Sequence, residues 1–229
     1  TRPKEPPHLF AQWSEVFAVD RASTSVVSDL LSLRAEMSNH MVDSSTVREE
    51  NQRLCEELIG LPKAPRARSE FTKEMQDFLN VCHYRDQLLD LIDQFDARMR
   101  DMGYLDFGQQ MAYAAGLACT HPQVGESERA HYRVVLLDEY QDTGYAQRIF
   151  LRSLFGEGQD PTLSVTAVGD PMQSIYGWRG ASATNLAHFR TDFPAEGGAS
   201  ASVKYLLTSW RNPGEILDLA SVYTRHLSS

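Results

Sequence analysis

Residues 134–143 read VVLLDEYQDT: four apolar residues, then Asp138, Glu139 and Asp142 within five positions. A short β-branched and leucine run bounded by polar residues predicts a buried strand. Clustering carboxylates at the end of such a strand costs free energy unless something positive meets them. A hard cation such as Mg²⁺ suits the place, because it keeps several waters and is held by one or two carboxylates plus substrate phosphates. In that reading Asp138 holds the magnesium. Glu139 orients and deprotonates a water for attack on phosphorus. A plainer alternative is helix capping, with Asp142 or Thr143 capping a helix that begins near Gly144. Capping accounts for Asp142 and Thr143 but not for Asp138 and Glu139.

Two more apolar runs, Leu163–Val168 and Tyr205–Leu207, are strand-like in length and end in polar residues. Helix-like segments lie between the runs, at about 144–155 and 181–190. Strand–helix–strand alternation predicts an α/β fold with a parallel sheet. In such sheets the ligand crevice lies at the carboxyl ends of the strands. DEYQDT, GDPMQSIYGWRG and TSWRN all fall there. In the second cluster, Gln173 offers an amide to a phosphate oxygen or an attacking water. Tyr176, Trp178 and Arg179 then form an aromatic and cationic platform of the kind that stacks unpaired bases. The alternative is that the two aromatics pack in a core, although Gly177 and Gly180 disfavour a helix interior there. In the third cluster, Arg211 could reach a γ-phosphate as an arginine finger, or form a surface salt bridge.

Upstream, residues 1–103 read as helical. Leu9, Phe10, Trp13, Val16 and Phe17 recur at helical spacing, as do the apolar residues of Ser23–Met41. Val47–Ile59 predicts a helix ended by Gly60 and Pro62. A Pro- and Arg-rich connector, LPKAPRARSE, precedes a long helix or helix pair from Glu70 to about Gly103. One more helix is expected over 107–119.

The 229 residues carry 22 Lys and Arg against 31 Asp and Glu, a net charge of −9. That balance argues against a broad basic nucleic-acid surface but leaves room for a narrow stacking groove. No apolar run approaches a membrane span. Cys55, Cys82 and Cys119 are widely spaced, as ordinary thiols of a reduced, cytoplasmic compartment would be. The seven histidines show no metal-ligand spacing.

Taken together, these clusters resemble the UvrD/Rep family of superfamily-1 DNA helicases. DEYQDT looks like that family's Walker B motif, GDPMQSIYGWRGA like its motif III, and LLTSWRN like its motif IV. Motif IV departs from the usual Tyr-Arg-Ser in having Trp210, Arg211 and Asn212. Tyr104–Phe107 resembles the family's acidic-aromatic stretch before Walker B. The likeness covers about residues 104–215 well. DFGQQ and LLDEYQDT look most like the AdnB-type motor of an actinobacterial helicase–nuclease.

The resemblance implies a partial P-loop NTPase (RecA-like) parallel sheet with a helical insertion subdomain on its N-terminal side. Residues 1–103 correspond to the insertion (1B-like), 104–203 to the later half of the first motor domain, and 204–229 to motif IV and the start of the second motor domain or its linker. It implies an ATP-dependent 3′–5′ helicase of DNA repair or recombination. Asp138 and Glu139 would serve the Mg²⁺, Gln173 and Arg211 the ATP, and Tyr176, Trp178 and Arg179 single-stranded or junction DNA. Partners would be the remaining domains of the helicase and, for the AdnB-type, a nuclease-linked subunit.

The family's phosphate loop, G-x-x-x-x-G-K-S/T, would need a Gly-Lys pair. None of Lys4, Lys63, Lys73 and Lys204 follows a glycine, and Gly103-x₄-Gly108 is followed by Gln109. The stretch, which also lacks an initial Met, therefore reads as the middle of a larger helicase with little or no ATPase activity by itself. The competing reading is a non-catalytic nucleic-acid- or partner-binding module that kept the fold.

Overall fold

The structure is a computed structural model that describes residues 23–61, 71–156, 160, 162–177, 180–182 and 184–224. The helix expected around residues 9–17, the connector over 62–70, and Trp178 and Arg179 lie outside the described residues. The chain divides into two compact units, residues 1–110 and 111–229.

The first unit is helical. α1 spans Ser23–His40, α2 Ser44–Ile59 and α3 Lys73–Asp101. The long segment after Glu70 is thus one helix of 29 residues rather than a pair. α1 ends in a Schellman turn: Val42 N–H donates to Met37 O (3.0 Å) and Met41 N–H to Ser38 O (3.2 Å), with Met41 at φ 55°. Asp43 starts α2, its side chain accepting the Thr46 N–H. Gly60 ends that helix, as its sequence predicts. Met37, Leu89 and Ile92 form the core, with Leu30, Leu33, Val42 and Val47 packed against it. These residues come from all three helices and the α1–α2 turn, so the apolar stripe of α3 is what joins them.

Polar anchors fix the same bundle. Buried Asn51 on α2 donates to Asp86 Oδ1 at 2.7 Å and accepts from Arg85 at 2.5 Å, both on α3. Buried Arg34 on α1 pairs with Asp96 on α3 at 2.6 Å and with Asp106. Asp106 also accepts the Gln109 N–H at 2.8 Å, which caps α4, Phe107–Thr120.

The second unit holds the α/β part. α5, Pro122–His131, was not foreseen, although proline at its first turn is the usual start signal. β1, Val134–Leu137, and β2, Ser164–Ala167, pair in parallel, with Val134 opposite Ser164 and Leu137 opposite Ala167. α6, Tyr145–Phe155, lies between them in sequence and packs on α5. α7 is Thr184–Asp192 and α8 is Gly214–Thr224. The helices expected at 144–155 and 181–190 are therefore present, the second starting three residues late.

The third expected strand is not formed. Tyr205, Leu206 and Leu207 are 79–91% exposed and carry no ladder. An apolar run becomes a strand only where a neighbouring edge takes up its N–H and C=O groups, and among the described residues none does so. Val134 and Leu136 are likewise 63% and 75% exposed, so one face of β1 has no cover among the described residues.

Candidate functional site

At the carboxyl end of β1 the chain turns abruptly. Asp138 Oδ1 accepts the Glu139 N–H at 2.9 Å. Glu139 sits in the left-handed region, φ 49° and ψ 41°, which costs a non-glycine residue about 1 kcal/mol. Tyr140–Asp142 then form a single 3₁₀ turn. This turn is tied to the end of β2, because Tyr140 N–H donates to Val168 O at 3.0 Å.

Tyr140 and Gln141 are each 1% exposed. The Tyr140 ring meets Phe189 edge-on at 5.5 Å, and Phe189 stacks on Phe193 at 4.8 Å. Burial, reinforced by the negative charge of Asp192, pushes the Tyr140 phenol up to about 12. Below it, Arg148 and buried Asp192 form a two-pronged ion pair at 2.5 and 3.0 Å that ties α6 to α7.

Gln141 reaches in two directions. Its Nε2 donates to Glu139 Oε2 at 2.6 Å, and its Oε1 accepts the Asp170 N–H at 3.1 Å. Asp170 Oδ1 accepts the Met172 N–H and Oδ2 the Gln173 Nε2, both at 2.9 Å. Ser174 Oγ donates to Gln141 O at 3.2 Å. Further on, Ser182 N–H and Asn185 Nδ2 both donate to Thr143 O, at 3.4 and 2.5 Å. Asp170 and Ser174 of the second cluster are therefore both bonded to Gln141 of the first.

The predicted residues fare unequally. Asp138 and Glu139 stand together, exposed, at the end of β1, with no ion-pair partner among the described residues. Gln173 is exposed and joins them through Asp170 and Gln141. Tyr176 is 39% exposed in the same loop. Arg211 is exposed, follows no strand, and forms no ion pair or hydrogen bond with the acidic cluster. So two of the three polar clusters lie at strand ends, and the TSWRN cluster does not.

The capping assignment is also corrected. The N-cap of α6 is Gly144, whose N–H is bonded by Gln147 Oε1 at 2.9 Å. Thr143 and Gly144 are extended, at ψ 130° and 169°, and this carries Asp142 out of capping range. Asp142 Oδ2 instead accepts weakly from Gln141 at 3.4 Å. Sequence reasoning gave Gln141 no role. Its polarity amid buried neighbours was the available signal, but only the fold shows what it bridges.

No group of three or more His, Cys, Asp or Glu side chains suitable for a metal stands together among the described residues. Mg²⁺ does not require one. Asp138 Oδ2 and Glu139 Oε1 accept no hydrogen bond among the described residues, so two hard oxygen donors remain open at the strand end. The donor set fits a Mg²⁺ carried by a phosphate ligand.

The profile of the UvrD/REP helicase N-terminal domain matches residues 12–194. The ATP-dependent DNA helicase UvrD1 of Mycobacterium leprae is 36% identical over 107 residues, 44% of this chain and 14% of that protein. DNA helicase II of Rickettsia typhi is 34% identical over 131 residues, 57% of this chain and 18% of its own length. DNA helicase II of Escherichia coli is 35% identical over 119 residues, 52% and 15% respectively. The chain thus corresponds to less than a fifth of these relatives. It belongs to the UvrD/REP helicase N-terminal domain family. No helix among the described residues is long and apolar enough to cross a membrane.

Proposed function

We propose that this chain is the central part of an ATP-dependent 3′–5′ DNA helicase or translocase of the cytoplasm, acting in DNA repair or recombination. The observation that carries the reading is the pair of exposed carboxylates Asp138 and Glu139, set at a parallel strand end and linked by hydrogen bonds to the Gln173 loop. Residues 1–103 serve as the helical insertion, 104–203 as the later half of a RecA-like motor domain, and 204–229 as motif IV and the start of the second motor domain or its linker.

Asp138 and Glu139 would hold Mg²⁺, which when bound neutralises charge on the ATP phosphates. Glu139 orients the attacking water and takes its proton onto the carboxylate. Gln173 would offer its amide to the γ-phosphate, and Arg211 would serve the same phosphate as an arginine finger. Tyr176, Trp178 and Arg179 contact single-stranded DNA only a few residues after Gln173, so one short loop meets both ligands. The phosphate-cradling lysine is not among these 229 residues, so this stretch alone has little ATPase activity. Its partners are single-stranded and junction DNA, the other domains of the helicase and, in the AdnB-type reading, a nuclease-linked subunit.

The test is Glu139→Gln in the full-length protein. ATP binding is retained and DNA-stimulated hydrolysis falls by about 10²–10⁴-fold, the usual contribution of a general base. Undiminished turnover rejects Glu139 as base, and a full-length protein that binds DNA but never ATP is instead a non-catalytic binding module.

A further inference from the structure

We propose that Gln141 is a positioning residue, which locks the Glu139 carboxylate to the Asp170–Gln173 loop so that the water-activating and phosphate-sensing groups are placed together. The proposal rests on the roles given above to Glu139 and Gln173.

The hydrogen bonds run without a break from Glu139 Oε2 to Gln141 Nε2, from Gln141 Oε1 to Asp170 N–H, and from Asp170 Oδ2 to Gln173 Nε2. A glutamine amide has a donor end and an acceptor end that are not interchangeable. A carboxylate on one side and a backbone N–H on the other match those two ends. Leucine or methionine would fill the same buried space and bridge neither. Lysine would reach Glu139 but leave Asp170 N–H without its acceptor. A glutamine side chain 1% exposed is costly unless both ends are bonded, and here both are.

Two further features point the same way. Glu139 is held in a left-handed backbone conformation, which persists only where surrounding contacts over-determine it, and the Gln141 bond is one such tether. The tether is a 2.6 Å bond to a charged acceptor, the stronger class of hydrogen bond. Gly169 also leaves the space that the Gln141 amide occupies, since a Cβ there would lie 2.6 Å from Gln141 Oε1. A movement of the Gln173 loop is therefore transmitted to Glu139 through one side chain, and the reverse holds as well.

The experiment uses the full-length protein with Gln141→Met, which keeps the volume and removes both hydrogen bonds. Affinity for a non-hydrolysable ATP analogue and for a single-stranded oligonucleotide stays unchanged. The DNA-stimulated kcat falls about 100-fold at constant KM, the scale of a small misplacement of reacting groups. Hydrogen exchange at the Asp170 amide accelerates. Gln141→Glu keeps the acceptor for Asp170 but sets a carboxylate against Glu139, so kcat falls while the Asp170 amide stays protected. An undiminished kcat in Gln141→Met alongside faster exchange overturns the positioning role and leaves a purely structural glutamine. If the parent protein hydrolyses no ATP, the function proposed above fails. Exchange at Asp170 then decides the lock by itself, and unchanged protection in Gln141→Met overturns it. Should Gln141→Met fail to fold, Gln141→Glu carries the same kcat test.

Discussion

Gly169 leaves no room for a side chain beside Gln141. A Cβ there would lie 2.6 Å from Gln141 Oε1, 3.2 Å from Gln141 N and 3.3 Å from Tyr140 N. Two of the three atoms are backbone and cannot retreat. Gly169→Ala therefore forces the β2 exit away from the 3₁₀ turn at Tyr140–Asp142. The expected cost is about 1–3 kcal/mol, as for other overpacked sites. Urea denaturation measures it, and a change below the error of the method would show that the two loops part easily.

Among the described residues, Arg148 alone bonds both carboxylate oxygens of Asp192, and Asp192 is 3% exposed. The hydrogen bonds that Arg148 donates to Asp192 raise its guanidinium above its usual range. Arg148→Met leaves the buried carboxylate with only the longer approach of Arg152, at 4.0 Å. The loss in unfolding free energy should be about 3–5 kcal/mol, and the double variant Arg148→Met with Asp192→Leu should recover much of it. Additive losses in that cycle would show that the pair is not coupled.

Asp43 caps α2, and the Thr46 N–H first, then the hydroxyls of Thr46 and Ser45, lower its carboxyl to about 2. Its folded value is below the ordinary 3.8, so its contribution is present above about pH 3.8 and is lost as pH falls toward 2. Asp43→Ala should cost about 1 kcal/mol at pH 7. The gap between the two proteins should close across that acid window, while Asp43→Asn keeps the cap and shows no such window. Thermal unfolding over a pH series reads both.

Tyr140 titrates in the opposite sense. Its phenol is raised from 10.0 to about 12, so the stability it brings is present below pH 10 and is lost as pH rises toward 12. Its hydroxyl is buried with no hydrogen-bond partner among the described residues. Tyr140→Phe keeps the edge-on contact with Phe189 and removes an unsatisfied polar atom. It should be neutral or stabilising by about 1 kcal/mol, and the alkaline loss should disappear. A marked destabilisation would reveal a partner for the hydroxyl in solution.

Much of the site was legible before any fold was known. The β1 run, the second strand, α6 and the loop after Gly169 follow from apolar periodicity and turn residues, which are local properties of the chain. Asp138 and Glu139 were readable because nothing local explained their charge. The failures share a different cause. Tyr205–Leu207 has strand composition but no neighbouring edge among the described residues, and a strand is a property of two segments. Asp142 has capping chemistry, but the extended Thr143 and Gly144 put the helix start out of its reach.

What the sequence alone determined, then, is most of the inventory: the helices and two strands with clear periodicity, where acid is concentrated, and which family the motifs resemble. The tertiary structure decided the relations. Residues 139, 141, 170 and 173 become one hydrogen-bonded line only because the parallel register of β1 and β2 brings two loops, nearly thirty residues apart in sequence, to the same end of the sheet. Hydrogen-bond direction and the space left by Gly169 then assign Gln141 its two partners. Neither quantity exists until the backbone has closed.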